Sequence, residues 1–313
     1  MNRFFEQRTL RISSINEQVE SDPQALIADE CARYLDTVRR VAEDLVSRIS
    51  GRGLVLLSGP SSAGKTTTAN NLKRELERNG KQACIVSLDD FYRGKGLAPR
   101  LPDGSFDYES IEALNLPQLQ TCMKELLTDG VTRLPRFDFQ TSEPHPQTYE
   151  LRVSENAIVI FEGIHALNPL LEEHLPHDNV YKIFINVMSR VYEGEETLLT
   201  RRDLRLCRRM LRDYQFRNSS IENTLSMWPQ VVRGENVYMF PYADTADVFF
   251  DTTHAFETAM LAPRLLPLLR AVPSDSSYSR TVMRLIGALS KFTPLSDTFL
   301  PEDALLREFV GMS

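Results

Sequence analysis

Residues 59–66, with the sequence GPSSAGKT, constrain the fold of this chain more than any other feature. They match the pattern G-x-x-x-x-G-K-[ST], in which successive backbone N–H groups surround phosphate oxygens at the positive end of a helix. The preceding run LVLL at 54–57 has no polar alternation, which is typical of a strand covered on both faces of a parallel sheet. The sequence therefore predicts a buried strand, a phosphate-binding loop (P-loop) and a helix in direct succession.

The remainder of the chain alternates between apolar runs of strand length and amphipathic runs of helix length. Helices are predicted over about 22–49, 65–79 and 111–127, and further strands over 83–88, 157–161, 181–187 and 246–251. Strands separated by helices favour right-handed βαβ crossovers. We therefore predict an α/β, three-layer P-loop NTPase fold with a five-stranded, mainly parallel sheet and helical extensions at both ends.

Two segments interrupt this alternation. Short extended runs on either side of Pro144-His145-Pro146 predict a β-hairpin lid over about 131–153. Residues 201–217 contain seven arginines and two aspartates. Five of the arginines recur at steps of one, three and four on one helical stripe, which favours a second lid that closes over a triphosphate, with a solvated helix face as the alternative. The predicted organisation is an N-terminal helical extension (1–50), a P-loop domain carrying both lids (51–255) and a C-terminal helical extension (256–313).

Composition excludes several classes of protein. The 36 Lys and Arg residues against 43 Asp and Glu give a net charge of -7, which disfavours nucleic acid as a partner. We find neither a signal-peptide pattern nor an uncharged apolar run of about 18 residues, so no membrane partner is expected. The 4 cysteines are too dispersed for a disulfide framework or a CxxC-type zinc site. We therefore expect a cytoplasmic protein.

The candidate chemistry lies at the ends of the predicted strands, where open α/β sheets bind ligands. Lys65 would reach the β- and γ-phosphates of a nucleotide, and the Thr66 hydroxyl would contact Mg²⁺, which prefers oxygen ligands. Asp89 could accept a proton from a substrate hydroxyl, although Asp89 and Asp90 could instead cap a turn. Glu162 ends a buried strand, where a carboxylate is costly unless it is paired or bound to a metal.

Five motifs resemble, in order, those of the uridine kinase and phosphoribulokinase-like branch of P-loop kinases: GPSSAGKTT, SLDDFYR, FDF, FEGIHAL and RLCRRMLRDYQFR. The resemblance covers about 54–252. The segments LLREFVG and WPQVVRGEN are similar more particularly to a bacterial nucleoside kinase subgroup, whose members often carry an N-terminal TGS domain. Only about fifty residues precede the loop, so we do not expect that domain here.

The resemblance implies ATP and Mg²⁺ as cofactors and a specific role for several residues. Asp89 matches the general base, Thr66 and Glu162 match residues associated with magnesium, and Arg205 and Arg208 match lid arginines that meet phosphate and substrate. The implied catalytic residues are Asp89, Lys65, Arg205 and Arg208. The implied nucleotide-binding residues are Gly59, Ser61, Ser62, Ala63, Gly64, Lys65, Thr66, Thr67 and Arg209.

The resemblance also implies an acceptor pocket. Asp107 matches an aspartate that holds ribose hydroxyls, and Phe139 matches an aromatic wall. The implied substrate-binding residues are Asp107, Tyr92, Phe137, Phe139, Arg205 and Arg217. One departure weakens a preference for uridine: Phe137 and Ser142 stand where uridine–cytidine kinases have tyrosine and histidine, so two polar contacts to the base are missing. His145 could substitute, but a histidine between two prolines is more typical of a loop.

These observations predict an ATP-dependent kinase that transfers the γ-phosphate to a hydroxyl of a nucleoside, of uridine/cytidine type or broader. One alternative is the same chemistry on a sugar, sugar phosphate or other small hydroxyl metabolite. Another is a non-catalytic nucleotide-dependent switch, although no N-K-x-D motif for guanine occurs. The sequence leaves open whether the tail beyond Phe256 packs on the core or on a second copy of the chain in a homo-oligomer.

Overall fold

The computed structural model describes residues 2–3 and 8–311. Its strands are β1 (Asn2–Arg3), β2 (Thr9–Arg11), β3 (Gly53–Ser58), β4 (Gln82–Ser87), β5 (Val131–Leu134), β6 (Phe137–Asp138), β7 (Glu143–Pro144), β8 (Tyr149–Arg152), β9 (Ala157–Glu162), β10 (Val180–Asn186), β11 (Arg190–Glu193), β12 (Glu196–Leu199) and β13 (Val248–Asp251). Its helices are α1 (Ile12–Ser21), α2 (Pro23–Arg48), α3 (Lys65–Arg78), α4 (Leu116–Thr128), α5 (Arg201–Phe216), α6 (Ile221–Gly234), α7 (Glu257–Arg270), α8 (Ser279–Leu289) and α9 (Arg307–Val310).

The central sheet has the strand order β1-β13-β10-β3-β9-β4, and every neighbouring pair is parallel. The predicted α/β fold is therefore confirmed, with two refinements. The five predicted strands are all parallel rather than mainly parallel. A sixth strand, β1, adds two residues at the edge beside β13, which is too short a run to produce a pattern in the sequence.

The sheet is covered on both faces, as the unbroken apolar run of β3 predicts. Val55 and Leu57 point into one apolar core, to which helices α1–α3 and α5–α9 contribute. Leu54 and Leu56 point into a second core on the opposite face, to which α4 contributes. This alternation along a single strand produces the three layers.

Local signals account for where several helices begin. The Asp22 carboxylate accepts a hydrogen bond from the Ala25 N–H, and Pro23 occupies the first turn of α2, as the sequence predicts. The helix predicted over 111–127 is shorter in the structure, because α4 begins at Leu116 with Asn115 as its cap. Residues 111–113 form a separate short turn, so Pro117 marks the start of the helix instead of its interior.

The β-hairpin predicted over 131–153 is present. β5 pairs with β8 in antiparallel orientation, and β6 pairs with β7 nearer the tip. A second small sheet, in the order β12-β11-β2, is missing from the sequence prediction. Its strands have three or four residues each, which is too short for a clear apolar alternation, although Gly194 at φ +59° supplies the turn between β11 and β12.

Both helical extensions pack on the central sheet. The Tyr34 hydroxyl of α2 lies 3.0 Å from the Thr68 hydroxyl of α3, and the Tyr34 ring stacks on Phe250 of β13. Leu265 of α7 and Phe309 of α9 are buried in the same core. The tail beyond Phe256 therefore packs on this chain. No helix in the part of the chain that the structure describes is long and apolar enough to cross a membrane.

We propose that the segments 1–50 and 256–313 are extensions of one cooperative unit. Leu45 of α2 is fully buried, so Leu45→Ala should cost about 2–5 kcal/mol of unfolding free energy. In urea denaturation followed by circular dichroism, the variant should show one transition at lower urea. Met283→Ala, at an exposed site of α8, is the control and should leave the midpoint unchanged. Two separate transitions, of which only one moves, would contradict the proposal.

Candidate active site

The phosphate-binding loop (residues 59–64) joins the end of β3 to the start of α3. Gly59 is required by close packing, because a Cβ there would lie 2.5 Å from the Ile185 carbonyl oxygen. Gly64 adopts φ +88°, a backbone conformation that favours glycine. The Lys65 ammonium group donates to the Gly59 carbonyl at 2.9 Å and so folds back over the loop. The local geometry is therefore that of an anion-binding turn at a helix N-terminus.

Two buried arginines of α5 hold the outer side of this loop. Arg205 is 2% exposed and donates to the Ser61 carbonyl at 3.1 Å, while two of its nitrogens donate to Glu235 at 2.6 and 2.8 Å. The same Glu235 carboxylate accepts the Ser61 N–H at 3.0 Å. The Ser61 residue is thus held at both its N–H and its carbonyl.

Arg208 makes a parallel arrangement one helical turn further along α5. It is 0% exposed, forms an ion pair with Glu257 at 2.5 Å and donates to the Thr252 carbonyl at 2.8 Å. The structure therefore departs from the prediction that Arg205 and Arg208 close over phosphate. Their guanidinium groups face the loop backbone because two buried carboxylates, outside the motifs that the sequence analysis singled out for chemistry, draw them there.

A cavity of about 480 Å³ opens on the inner side of the loop. Most of the predicted catalytic, nucleotide-binding and metal-associated residues line it. Its lining consists of Ser61, Ser62, Gly64, Lys65, Thr66, Asp89, Tyr92, Glu109, Glu162, Ile164, Arg209, Arg212, Phe216, Arg217, Val231, Glu235 and Glu308. Of the predicted nucleotide-binding residues, Gly59, Ala63 and Thr67 lie in the loop or in α3 but do not line this cavity.

The arginines that do face the cavity are Arg209, Arg212 and Arg217. All three form ion pairs with Asp213, whose side chain is 2% exposed, at distances of 3.2, 2.9 and 3.6 Å. Arg209 also donates to the Ser61 hydroxyl at 2.6 Å. One buried carboxylate thus orients three cations toward the space beside the phosphate loop.

Asp89, Glu162 and Glu109 are three of the five carboxyl groups that line this cavity with Lys65. Burial raises the pKa of Asp89, and Lys65 offsets part of that rise. Burial raises the pKa of Glu162 to about 7, again against the opposing effect of Lys65. Burial also raises the pKa of Glu109 to about 7, with Arg209 acting in the opposite direction. With pKa values of about 7, Glu162 and Glu109 can exchange protons near neutral pH.

The sheet register explains how these groups meet. Glu162 ends β9 and lies beside Leu57 of β3 and Ser87 of β4. The short turn after β4 carries two aspartates with different tasks. Asp89 lines the cavity, whereas Asp90 accepts the Phe137 N–H at 3.2 Å and ties the turn to the hairpin. Asp90 therefore has a structural contact with the hairpin, whereas the role of Asp89 as proton acceptor stays a prediction.

The donor set also fits a magnesium ion. Mg²⁺ in phosphate sites takes one or two protein oxygens and completes its shell with phosphate oxygens and water. The Thr66 hydroxyl and the Glu162 carboxylate are oxygen donors in the same cavity as Lys65. No cluster of three or more His, Cys, Asp or Glu side chains suited to a metal occurs among the described residues, so the protein alone would supply few of the ligands.

A second, more apolar pocket of about 260 Å³ adjoins the first, and Tyr92 lines both. Aromatic rings form its walls. The Tyr92 and Phe137 ring centroids are 5.6 Å apart, and those of Phe137 and Phe139 are 5.1 Å apart. Ser142 lies at its edge, and Phe139 is 63% exposed. The predicted substrate-binding aromatics are therefore together in one pocket.

The structure places Asp107 beside α6, and the substrate-binding role that the resemblance implies for it stays a prediction. It is 2% exposed and lines neither pocket. Its Oδ2 accepts hydrogen bonds from the Tyr238 hydroxyl at 2.7 Å and from Arg233 at 3.1 Å. Arg233 is on α6 and Tyr238 is in the π-helical turn that follows it (Glu235–Met239). The other oxygen of this carboxylate, Oδ1, is buried and has no hydrogen-bond partner among the described residues.

Three carboxylates of the cavity, Glu109, Glu235 and Glu308, are absent from the predicted site residues. Glu308 comes from α9 and accepts the Thr67 hydroxyl at 2.8 Å, while Leu305 packs against Gly64. The only sequence signal for Glu235 and Glu308 is their presence in WPQVVRGEN and LLREFVG, which the sequence analysis noted as segments typical of a subgroup.

The raised pKa of Glu162 predicts a pH dependence of stability. Its ordinary value is 4.5, so between pH 4.5 and about 7 the folded protein retains a proton that the unfolded chain releases. The resulting stabilisation is complete below pH 4.5 and is lost as the pH rises through about 7. In urea denaturation without nucleotide or metal, Glu162→Gln should therefore gain stability relative to wild type from pH 5 to pH 8, by on the order of 1–3 kcal/mol. Parallel pH curves would contradict this assignment.

A second prediction concerns Glu308. A carboxylate beside a phosphate loop repels bound phosphate, and at an effective dielectric constant of about 20 this costs roughly 1–2 kcal/mol. Glu308→Gln keeps an oxygen that can accept the Thr67 hydroxyl but removes the charge. We expect it to bind ATP about fivefold to thirtyfold more tightly in isothermal titration calorimetry. Glu302→Gln, on the exposed part of the same tail, is the control. Weaker binding by Glu308→Gln would mean that the carboxylate itself contacts the nucleotide.

Comparison with known proteins agrees with this geometry. The sequence matches the Phosphoribulokinase / Uridine kinase family over residues 54–259. A uridine kinase of Mycoplasma genitalium is 28% identical over 179 residues, which is 57% of this chain and 75% of that protein. A uridine kinase of Lactobacillus johnsonii is 24% identical over 62% of this chain and 84% of that protein.

Among solved structures, one described as a possible uridine kinase from Bacillus stearothermophilus superposes with a TM-score of 0.49 and 16% identity, over 69% of this chain and 98% of that chain. The family match covers well over half of the sequence and includes the phosphate loop, Asp89, Glu162 and the arginine-rich helix α5. This chain therefore belongs to the phosphoribulokinase/uridine kinase family.

Proposed function

We propose that this kinase transfers the γ-phosphate of ATP to a hydroxyl group of a nucleoside. Family membership supports the more general statement that the chain is a phosphotransferase acting on a nucleoside or sugar hydroxyl. One observation supports the more specific proposal that the acceptor is a nucleoside. Tyr92 lines both the polar cavity that contains Lys65 and Asp89 and the neighbouring aromatic pocket.

The polar cavity suits the phosphoryl donor and the reacting hydroxyl. Asp89 is the proposed proton acceptor, because its carboxyl group faces the cavity and its raised pKa brings it closer to neutrality, where a base works best. Lys65 would exchange its hydrogen bond to the Gly59 carbonyl for the donor phosphates. Arg209, Arg212 and Arg217 would neutralise charge on the transferring group.

Magnesium would be held by the Thr66 hydroxyl and the Glu162 carboxylate, together with phosphate oxygens and water. When bound, it would neutralise charge on the β- and γ-phosphate oxygens. The chain's own contribution is to place these two oxygens beside Lys65 at the edge of the sheet.

The aromatic pocket suits the planar base of a nucleoside. Aromatic rings stack on heterocycles without distinguishing strongly between them, whereas discrimination comes from hydrogen bonds to the base edge. Ser142 is the residue of this lining that stands where related kinases have a histidine, and Phe137 brings no hydroxyl. We therefore propose that the pocket binds the base tightly but discriminates weakly between different bases. This favours the use of several nucleosides over strict specificity for uridine.

The decisive experiment measures ADP formation with a panel of ribonucleosides, sugars and sugar phosphates. We expect nucleosides to give the highest kcat/KM. Asp89→Asn should keep ATP affinity while kcat falls by roughly 10²–10⁴, because a proton acceptor of similar shape is lost. Lys65→Ala should weaken ATP binding as well, because a phosphate contact is lost.

Asp90→Asn is the matched control, since it changes the neighbouring carboxylate that faces the hairpin. An inactive Asp90→Asn beside an active Asp89→Asn would reverse the assignment. A sugar or sugar phosphate as the best acceptor would overturn the nucleoside proposal, and ADP formation that no acceptor accelerates would favour a nucleotide-dependent switch.

A further inference from the structure

The segment 228–236, with the sequence WPQVVRGEN, resembles a subgroup of the family, yet no step of the proposed mechanism uses it. It forms the end of α6 and enters the π-helical turn Glu235–Met239. π-Helical turns are rare and are frequent at functional sites. The contacts of this segment and of the turn reach two separate parts of the site.

One end of the turn holds the phosphate loop. The Glu235 side chain is 1% exposed, and its carboxylate accepts the Ser61 N–H at 3.0 Å. It also pairs at 2.6 Å with Arg205, which donates to the Ser61 carbonyl, and the Trp228 ring of α6 lies 5.4 Å from the Arg205 guanidinium. Backbone N–H groups of such a loop are the groups that bind phosphate. A displacement of Glu235 would therefore act directly on the loop.

The other end of the turn holds the chain around Asp107. The Tyr238 hydroxyl donates to Asp107 Oδ2 at 2.7 Å, and Arg233 donates to the same oxygen at 3.1 Å. Gly234 packs so closely on the next part of this chain that a Cβ there would lie 2.5 Å from the Glu109 Cβ. These three contacts fix the chain around Asp107 to α6 and to the π-helical turn.

The chain around Asp107 is also a wall of both pockets. Tyr108 lines the aromatic pocket, and Glu109 lines the polar cavity. The hydroxyl of Tyr92, which lines both pockets, donates to the Tyr108 carbonyl at 3.1 Å. The π-helical turn therefore connects a wall of the proposed acceptor pocket to the phosphate loop.

We propose that the turn Glu235–Met239 couples the two sites, so that a nucleotide bound at the phosphate loop tightens binding of the acceptor. Glu235 and Tyr238 belong to this one short turn, so a ligand that orders one end also restricts the other. The second ligand then loses less conformational entropy when it binds. By linkage, the acceptor must tighten nucleotide binding by the same factor. The inference rests on the proposed function in taking the aromatic pocket as the acceptor site.

The proposal makes Tyr238 and Arg233 positioning residues, and calorimetry tests this. The Kd of the best acceptor from the panel is measured with and without saturating Mg²⁺ and the β,γ-imido analogue of ATP. For wild type we expect the analogue to lower this Kd about fivefold or more. Tyr238→Phe removes only the hydroxyl that binds Asp107, so its two acceptor Kd values should agree within about twofold, with the Kd of the analogue alone near that of wild type. A merely structural role would lower the Tm but leave the ratio of the two Kd values unchanged.

Two changes at Arg233 and a matched control make the result specific. Arg233→Met removes a donor to Asp107 and should reduce the ratio, whereas Arg233→Lys keeps a charged donor and should retain most of it. Val237→Ala changes a side chain of the same turn that is 47% exposed, and it should leave the ratio at the wild-type value. A loss of coupling in Val237→Ala as large as in Tyr238→Phe would contradict the assignment to the hydrogen bond.

Hydrogen exchange gives a second measurement that needs no acceptor. In wild type, the ATP analogue alone should slow amide exchange in the peptide that contains residues 107–110, and in Tyr238→Phe this protection should be lost. Protection that persists in Tyr238→Phe would overturn the inference.

The outcomes also separate this inference from the proposed function. If the ratio of acceptor Kd values persists in Tyr238→Phe, the two ligands act on each other by direct contact and the inference fails. It fails as well if the analogue weakens acceptor binding in wild type. If the best acceptor is a sugar and the ratio still depends on Tyr238, only the nucleoside proposal fails.

Discussion

Buried ion pairs, formed by two arginines of α5 with two glutamates, contact the backbone of the phosphate loop. The arrangement of the surrounding helices depends on these ion pairs. Arg205 and Arg208 cannot be buried alone, because an unpaired charge in a protein interior is very unfavourable. Each therefore requires a carboxylate, which Glu235 and Glu257 supply. Since breaking one partner of such a pair costs about 3–5 kcal/mol, α5 and the segments that carry the two glutamates are tied to the loop as a unit.

The arginines of α5 therefore have two different roles, which depend on the side of the helix where they lie. Its buried side stabilises the loop backbone, whereas Arg209, Arg212 and Arg217 reach the cavity and are gathered by Asp213. Opposite them, burial raises the pKa of Asp89 and Glu162, and Lys65 compensates only in part. The cavity thus has cations where phosphate charge would lie and carboxyl groups of raised pKa where a hydroxyl or a metal would lie.

Segments beyond the family match also shape the site. The match ends at residue 259, yet Leu305 packs on Gly64 and Glu308 binds the Thr67 hydroxyl. The Phe309 ring lies 5.3 Å from the Arg208 guanidinium, which couples the end of the chain to the same buried ion pair. The C-terminal extension is consequently part of the wall of the proposed nucleotide site.

The sequence alone determined the elements whose signals are local. The glycines and lysine of the loop, the apolar run of β3 and the periodicity of α2 and α5 each depend on neighbours within a few residues. With the other apolar runs and the extended runs around Pro144-His145-Pro146, they were enough to predict the α/β class and the hairpin, and to place Lys65, Thr66, Asp89 and Glu162 at the ends of strands. Very short strands such as β1 carry too few residues for such a pattern.

Only the tertiary structure decided which side chains meet. The spacing of the arginines along α5 predicts a stripe, but the direction of that stripe depends on Glu235 and Glu257, which lie 30 and 49 residues further along the chain. Likewise Thr67 and Glu308 are 241 residues apart, and the partners of Asp107 are 126 and 131 residues away. Burial makes a charge depend on the partner that the fold brings to it, and periodicity in the sequence contains no information about that partner.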